Sequence, residues 1–330
     1  MKKYTHAWLA MMAMKRLDKA SIPEVDGTGS SAKPLAKYAN SLVRWFKNYR
    51  DFVVQGAWYP DEVLCDQGMS HGLKHTPFDL GEKPKFMKLP DTMEIYKLMR
   101  AESPIFKEKQ AFIVVKGNLD ARCDALAHTI VDNFKIQYHE EKGNPIIPSS
   151  THMAMRFYIM SHYLADSHMP LHCDARALGG IHASIEKSWE DQVKKSYRID
   201  DKNNRFYYDP DGFPLATDKM TSLIKAVEEN LVTRPFIYSW GASGYSTREY
   251  VESVAQYSYM LAHEMVPENI GDVSWSKYKK TETYQRFDEY SAKLLADAVD
   301  SIARAWLHVW IRYREWGPDK PKNNTDNYSK

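Results

Sequence analysis

Met155, Ile159, His162 and Asp166 follow one another in steps of four, three and four, the spacing of a single helix face. That face starts apolar and ends in an imidazole and a carboxylate. A helix packed along it buries two groups that cost several kcal/mol if left without partners. A hydrogen bond between His162 and Asp166 would satisfy an isolated pair. The pair has company, however. His172 lies six residues beyond Asp166, past Pro170, and His182 and Glu186 come after Gly179 and Gly180, four apart and so on one helical face. Five residues of the types that zinc accepts therefore fall within twenty-five positions.

Around this run the chain reads as mostly helical. A stripe of Ala39, Leu42, Phe46, Tyr49 and Val53 predicts an amphipathic helix from Leu35 that Gly56 and Pro60 end, placing Asp61 just beyond it. Residues 21–34 and 68–90 read as loops. Helical patterns cover 92–101 and 105–137, with an interruption near Gly117 and Asn118, and Gly143–Pro148 reads as a linker. Ser149, Ser150 and Thr151 offer an N-cap for a helix over 151–168 that Pro170 stops. Residues 199–214, with Asp-Gly at 211–212, predict a surface excursion or a small hairpin. Helices are expected again at 217–232, 247–265 and 287–312. The expectation is one all-α, multi-helix domain over 1–330, elaborated between about 190 and 280, with a polar tail at 317–330.

Charge excludes other classes. Lys and Arg total 45 against 43 Asp and Glu, a formal +2, which is unlike a strongly basic nucleic-acid-binding module or an acidic tail. Cys65, Cys123 and Cys173 are too few and too irregular for a disulfide framework or a C-x-x-C zinc knuckle. No apolar run approaches the ~18 residues of a membrane span. Met1-Lys2-Lys3 followed by Ala7–Met14 has the outline of a signal peptide. Lys15, Arg16, Asp18 and Lys19 then stand where a small-residue cleavage site would be, so we read a retained N-terminus. A cytoplasmic chain and a processed, secreted one both fit.

The run His162-Tyr-Leu-Ala-Asp166-Ser-His-Met-Pro170-Leu-His172 resembles the signature of the bacterial zinc-dependent phospholipase C family, whose scaffold is shared by single-strand-specific nucleases. Gly180-Ile-His182-Ala-Ser-Ile-Glu186 resembles the G-x-H-x-x-x-E element that follows it. His6 with Trp8 is similar to the first-helix H-x-W, and Asp61, fourteen residues before His75, repeats the family's Asp-to-His spacing. On that interval His75 is favoured over the nearby His71. Ala165, Ser167, Asp174 and Arg176 depart from the family pattern at positions that are not ligands, and Glu62 and Gly72 stand where choline-pocket aromatics are expected. A preference for phosphatidylcholine is therefore not implied.

The resemblance implies an all-α fold and three zinc ions. One would take Asp61, His75, His162 and Asp166, a second His172, His182 and Glu186, and a third His6, a bridging Asp166 and the amine and carbonyl of Met1. It implies a phospholipase C-like phosphodiester hydrolase in which a metal-bridged hydroxide attacks phosphorus, with Asp61 as the catalytic group that orients or deprotonates the water. The expected partner is a phosphodiester substrate, a phospholipid head group or a nucleotide, and no stable nucleic-acid complex. A single-strand nuclease or 3′-nucleotidase on the same scaffold is the alternative within the class. A non-catalytic, metal-stabilised helical binding protein is the alternative outside it. His128, His139, His152, His168, His263 and His308 are read as structural or solvent-facing. The aromatic groups at 206–213 and 236–245 read as pins for a long loop, or as platforms for a base or a peripheral membrane surface.

Overall fold

The computed structural model describes residues 1–19, 35–66, 68–77, 89–102, 112–139, 147–238, 240, 246–266 and 273–316. The expected loop at 21–34, most of the linker at 143–148 and the tail at 317–330 lie outside them. Among the described residues the fold is all-α: α1 (Lys3–Lys19), α2 (Leu35–Lys47), α3 (Val53–Glu62), α4 (Met93–Glu102), α5 (Leu119–His139), α6 (Ser150–Ser167), α7 (Pro170–Cys173), α8 (Gly179–Ser196), α9 (Ser222–Thr233), α10 (Thr247–Met265), α11 (Trp275–Tyr278) and α12 (Phe287–Trp316). Strands form two small antiparallel ribbons, β1 (Leu73–Pro77) with β2 (Phe112–Gly117), and β3 (Ile199–Asp200) with β4 (Arg205–Phe206).

The run Ala7–Met14 is buried throughout, so α1 is a central core helix with no polar stripe to turn outward. It packs against α3, α8 and α12, while α6 lies between α3 and α5, and α10 lies on α5 and α7. At 30 residues α12 is about 45 Å long and spans the body. Its Trp306 stacks near Phe46 at 4.5 Å between ring centroids and donates its indole N–H to the Phe157 carbonyl at 3.0 Å, pinning α2, α6 and α12 together. Charges are buried here as well, in pairs: Arg16 with Asp300 at 2.8 Å, Arg234 with Asp297 at 2.7 Å, and Arg304 with Glu94 and Asp300. Such groups are tolerated in a core only with partners of this kind.

Four expectations need correction. The stripe from Leu35 does not make one helix: α2 stops at Lys47, a 3-10 turn covers Arg50–Phe52, and α3 restarts at Val53. Pro60 lies inside α3 and Asp61 in its last turn, because the helix continues past the proline to a Val63 N–H that donates to the Tyr59 carbonyl at 2.9 Å. Residues 112–117 are a strand rather than helix. Their β-branched run Ile113-Val114-Val115 pairs with β1, which itself forms within the expected loop at 68–90. Pro170, finally, opens α7 at its first turn, where its missing N–H costs nothing.

The hairpin expected near 199–214 is present as β3–β4, and α6 is capped as expected, the Ser149 hydroxyl accepting from the His152 N–H at 3.1 Å. Phe206, Phe213, Phe236 and Trp240 are buried, so these rings pin their segments to the core; Tyr245 lies outside the described residues. Gly56 sets the approach of α3 to α6. A Cβ there would lie 2.8 Å from both the Tyr158 Cβ and the Met155 Sδ. Gly56→Ala is expected to lower stability by about 1–3 kcal/mol despite its better helix propensity, measured as a fall in Tm.

Candidate metal centre

Asp166 stands at the C-terminal end of α6 and is fully buried. Its Oδ1 accepts from the Met1 amine at 2.9 Å and lies 3.4 Å from His172 Nδ1 and 3.5 Å from His6 Nε2. Its Oδ2 lies 2.8 Å from His71 Nδ1 and 3.2 Å from His162 Nε2. One carboxylate thus faces groups delivered by α1, α6, α7 and the turn ahead of β1.

Each of these groups is held by ordinary local structure. His162 sits one turn before Asp166, and its Nδ1–H donates to the Ala57 carbonyl of α3 at 2.7 Å, which turns Nε2 toward the cluster. His6, on α1, stacks on His162 with centroids 3.8 Å apart and planes at 18°. The last turn of α3 presents Asp61, whose Oδ1 is 3.6 Å from His71 Nε2 and 3.9 Å from His162 Nε2. On the other side of Asp166, α7 supplies His172 and the first turns of α8 supply His182 and Glu186. Here His172 Nε2 meets His182 Nε2 at 2.9 Å, and Glu186 Oε1 lies 2.9 Å from His182, 3.5 Å from His172 and 2.8 Å from the Met1 amine.

The sequence-predicted residues Met1, His6, Asp61, His162, Asp166, His172, His182 and Glu186 are therefore brought together. His75 is not. Its place is taken by His71, whose Nδ1 is also 3.1 Å from His162 Nε2. His75 lies on β1, with Nδ1 3.3 Å from the Cys173 carbonyl and its ring stacked on Tyr259 of α10 at 5.5 Å. The reason lies in Gly72. A Cβ at that position would lie 2.7 Å from the His172 carbonyl, so the bare backbone lets the turn carrying His71 press directly on α7. Beyond it the extended strand moves at about 3.3 Å per residue and carries His75 away. The usable signal was the His-Gly pair at 71–72, where the matching interval favoured His75.

A second set of side chains backs His71. The Tyr163 ring lies 5.4 Å from it, the Tyr163 hydroxyl donates to Asp66 at 2.6 Å, and Arg122 pairs with Asp66 at 3.0 Å. His168 points elsewhere, its Nε2 2.9 Å from the Ser301 hydroxyl in the core.

The charges reinforce one another. Burial by itself would raise the Asp166 carboxyl, but the Met1 ammonium, His172 and His162 hold it well below the usual carboxylate range. Glu186 is held low in the same way, against burial, by Met1, His172 and His182. Burial would lower the Met1 amine, yet Asp166 and Glu186 raise it to about 10. Burial drives His6 well below the ordinary histidine value, with His162 and the Met1 ammonium adding to the effect, so its imidazole is neutral.

Three groups of donors each lie within 4.8 Å of one another: His6, His162 and Asp166; Asp61, His71 and His162; and His172, His182 and Glu186. Donors about 2.0–2.1 Å from a tetrahedral zinc stand roughly 3.3 Å apart, close to the spacings above. Both ring nitrogens of His6, Nε2 of His71 and Nδ1 of His172 are buried without a hydrogen-bond partner among the described residues. Ring nitrogens converging on each other at 2.9 and 3.1 Å, with orphaned neighbours, suit a set of cation ligands better than a closed hydrogen-bond network. The donor set fits zinc.

No protein-family model matches the chain, and no curated protein matches it. Among solved structures it is similar to a crystal structure of Clostridium perfringens alpha-toxin isolated from avian strain SWCP, with 15% identity and a TM-score of 0.45 over 97% of this chain. The chain spans 66% of that protein's length.

Zinc analysis of two variants distinguishes the two loop histidines. His71→Ala is expected to lose at least one bound zinc. His75→Ala is expected to keep the wild-type zinc content while lowering Tm, because it removes a buried ring from between α7 and α10.

Proposed function

We propose that this chain is a zinc-dependent phosphodiester hydrolase of the phospholipase C-like kind, a single α-helical domain holding three ions. The observation that supports the reading most is the sharing of donors: His162 belongs to two of the clusters and Asp166 lies beside members of all three, so the sites sit side by side around one buried carboxylate. One ion would be held by Asp61, His71, His162 and Asp166, a second by His172, His182 and Glu186, and a third by His6, Asp166 and the Met1 amine. When bound, zinc supplies positive charge for an anionic phosphate and lowers the pKa of water toward ~7.

The chain's own residues do the rest. Three carboxylates, Asp61, Asp166 and Glu186, fall short of balancing three divalent ions, so the loaded site stays cationic and favours a phosphodiester. Asp166 is buried and surrounded, which makes it a fixed bridge and unsuited to proton transfer. Asp61 is different: it is partly exposed, on the last turn of α3, with one oxygen near His71 and His162. It is the carboxylate placed to orient a water at the mouth and accept its proton. The Ala57 carbonyl fixes the tautomer of His162, and the Asp66–Tyr163–Arg122 set supports His71 from behind.

Metal analysis by mass spectrometry tests the reading. About three zincs are expected in the purified protein. His162→Ala should lose at least one of them, together with at least about 100-fold in hydrolysis of bis-p-nitrophenyl phosphate, since even changes behind a ligand cost 10–100-fold. Protein that carries no zinc overturns the proposal; zinc without turnover favours a metal-stabilised binding protein. Phosphatidylcholine vesicles against single-stranded DNA as substrates separate the phospholipase reading from the nuclease one.

A second test addresses the amine. One residue added ahead of Met1 would place a peptide bond where an ammonium now sits between Asp166 and Glu186. The extended chain is expected to hold one zinc fewer and to lose activity; unchanged zinc content removes Met1 from the ligand set.

A further inference from the structure

The ribbon β1–β2 is amphiphilic in an unusual way. On β2, Ile113, Val114 and Val115 are all exposed, at 39, 48 and 52%, and Val115 is the extra residue where the register shifts between Lys74 and His75. The partner strand β1 buries Leu73 and His75 against the body, while these three aliphatic side chains of β2 stay open to solvent. The apolar surface continues toward the candidate metal centre. The Asn118 N–H next to β2 donates to the Met69 carbonyl at 2.8 Å, and Met69 is 49% exposed, two residues before His71. Exposed Val63 and Leu64 directly follow the turn of α3 that carries Asp61.

Charge lies on the same ribbon. Lys74 of β1 and Lys116 of β2 are directly opposite in the register, and neither pairs with an acid among the described residues. Like charges across a strand pair are destabilising. Such a pair, next to exposed aliphatic side chains, is satisfied by a surface that offers anions over hydrocarbon. A nucleic acid would supply the anions, but Ile and Val present no ring on which a base can stack. No helix among the described residues is long and apolar enough to cross a membrane, so contact of this kind would be peripheral.

We propose that the β1–β2 ribbon is a docking surface for the face of an anionic phospholipid bilayer, with the aliphatic side chains of β2 entering the interface and Lys74 and Lys116 meeting the head groups. Docked there, the protein holds the turn bearing His71 and the end of α3 bearing Asp61 toward the lipid. That last consequence rests on the phosphodiesterase reading; the binding itself does not.

Co-sedimentation with vesicles tests it without turnover. Wild-type protein is expected to bind vesicles of phosphatidylcholine with phosphatidylglycerol more tightly than phosphatidylcholine alone, and the preference should fall as salt is raised. Lys74→Gln with Lys116→Gln is expected to weaken binding to the anionic vesicles about 30-fold, from about 1 kcal/mol per lysine. Val114→Asp with Val115→Asp should abolish it. Both variants should keep wild-type zinc content and hydrolysis of bis-p-nitrophenyl phosphate. Absence of wild-type binding overturns the proposal, as does binding that neither salt nor the substitutions change, or tight single-stranded DNA binding that the lysine variant loses. Because the salt response is read on the wild-type chain, the result does not depend on a variant folding. Vesicle binding without zinc or turnover would leave the docking surface standing while the phosphodiesterase reading fails.

Discussion

A carboxylate that is 1% exposed can remain ionised only if polar and charged partners surround it, and Asp166 is approached by them from five directions. The Met1 amine, His6, His71, His162 and His172 come from four separate stretches of chain, and each has one donor atom within 3.5 Å of it. Much of the architecture follows from bringing those stretches to one point. The N-terminus of α1 must enter the core. The end of α6 must lie beside α7, and the turn before β1 must reach over both. Burial of α1, which its sequence makes favourable, delivers the amine and His6 together, five positions apart at the start of the chain.

The two ends of α6 contribute differently. Its N-terminal part, with Phe157 and Tyr158, packs into the aromatic cluster of Phe46 and Trp306 and makes the helix a rigid strut. Its C-terminal part carries His162 and Asp166. A polar pair placed at the end of a well-packed strut is positioned by the strut, and the Ala57 carbonyl sets the ring of His162. His71 has no such support from its own element. Its position depends on Gly72, on the left-handed Gly117 at φ 107° where β2 turns into α5, and on the Asp66–Tyr163–Arg122 set.

That difference explains what could be read from the residues. His162, Asp166, His172, His182 and Glu186 were legible because they lie on regular helices or close to helix ends, where a spacing of four fixes relative direction. The helix-rich fold, the Ser149 cap and the 199–206 hairpin were legible for the same local reasons. The placement of His71, and not His75, beside Asp61 and Asp166 was not legible, because a turn has no period and interval matching cannot register a glycine that lets two backbones touch. The strand at 112–117 was missed because a short apolar run serves helix and strand equally, and its pairing partner lies nearly forty residues back. Pro60 misled in a similar way: tertiary contact between α3 and α6 through Gly56 keeps the helix going where local rules would stop it.

The clustering also bears on stability. Three acids, five imidazoles and an amine within a few ångströms are poor material for a core. In this protein the Met1 ammonium offsets part of that cost, lying within 2.9 Å of both Asp166 and Glu186. It is one positive charge against three carboxylates, and the orphaned nitrogens of His6, His71 and His172 gain nothing from it. Cations that bind here therefore bind to the folded chain and not to the unfolded one, and their binding energy becomes folding energy. On this view the strongly built parts of the fold, the aromatic cluster on α2, α6 and α12 and the paired charges around Arg304, are what allow the ligands to be held in place before any ion arrives. The same rigidity is what a phosphodiester site requires, since preorganised charge acts on a transition state without having to move.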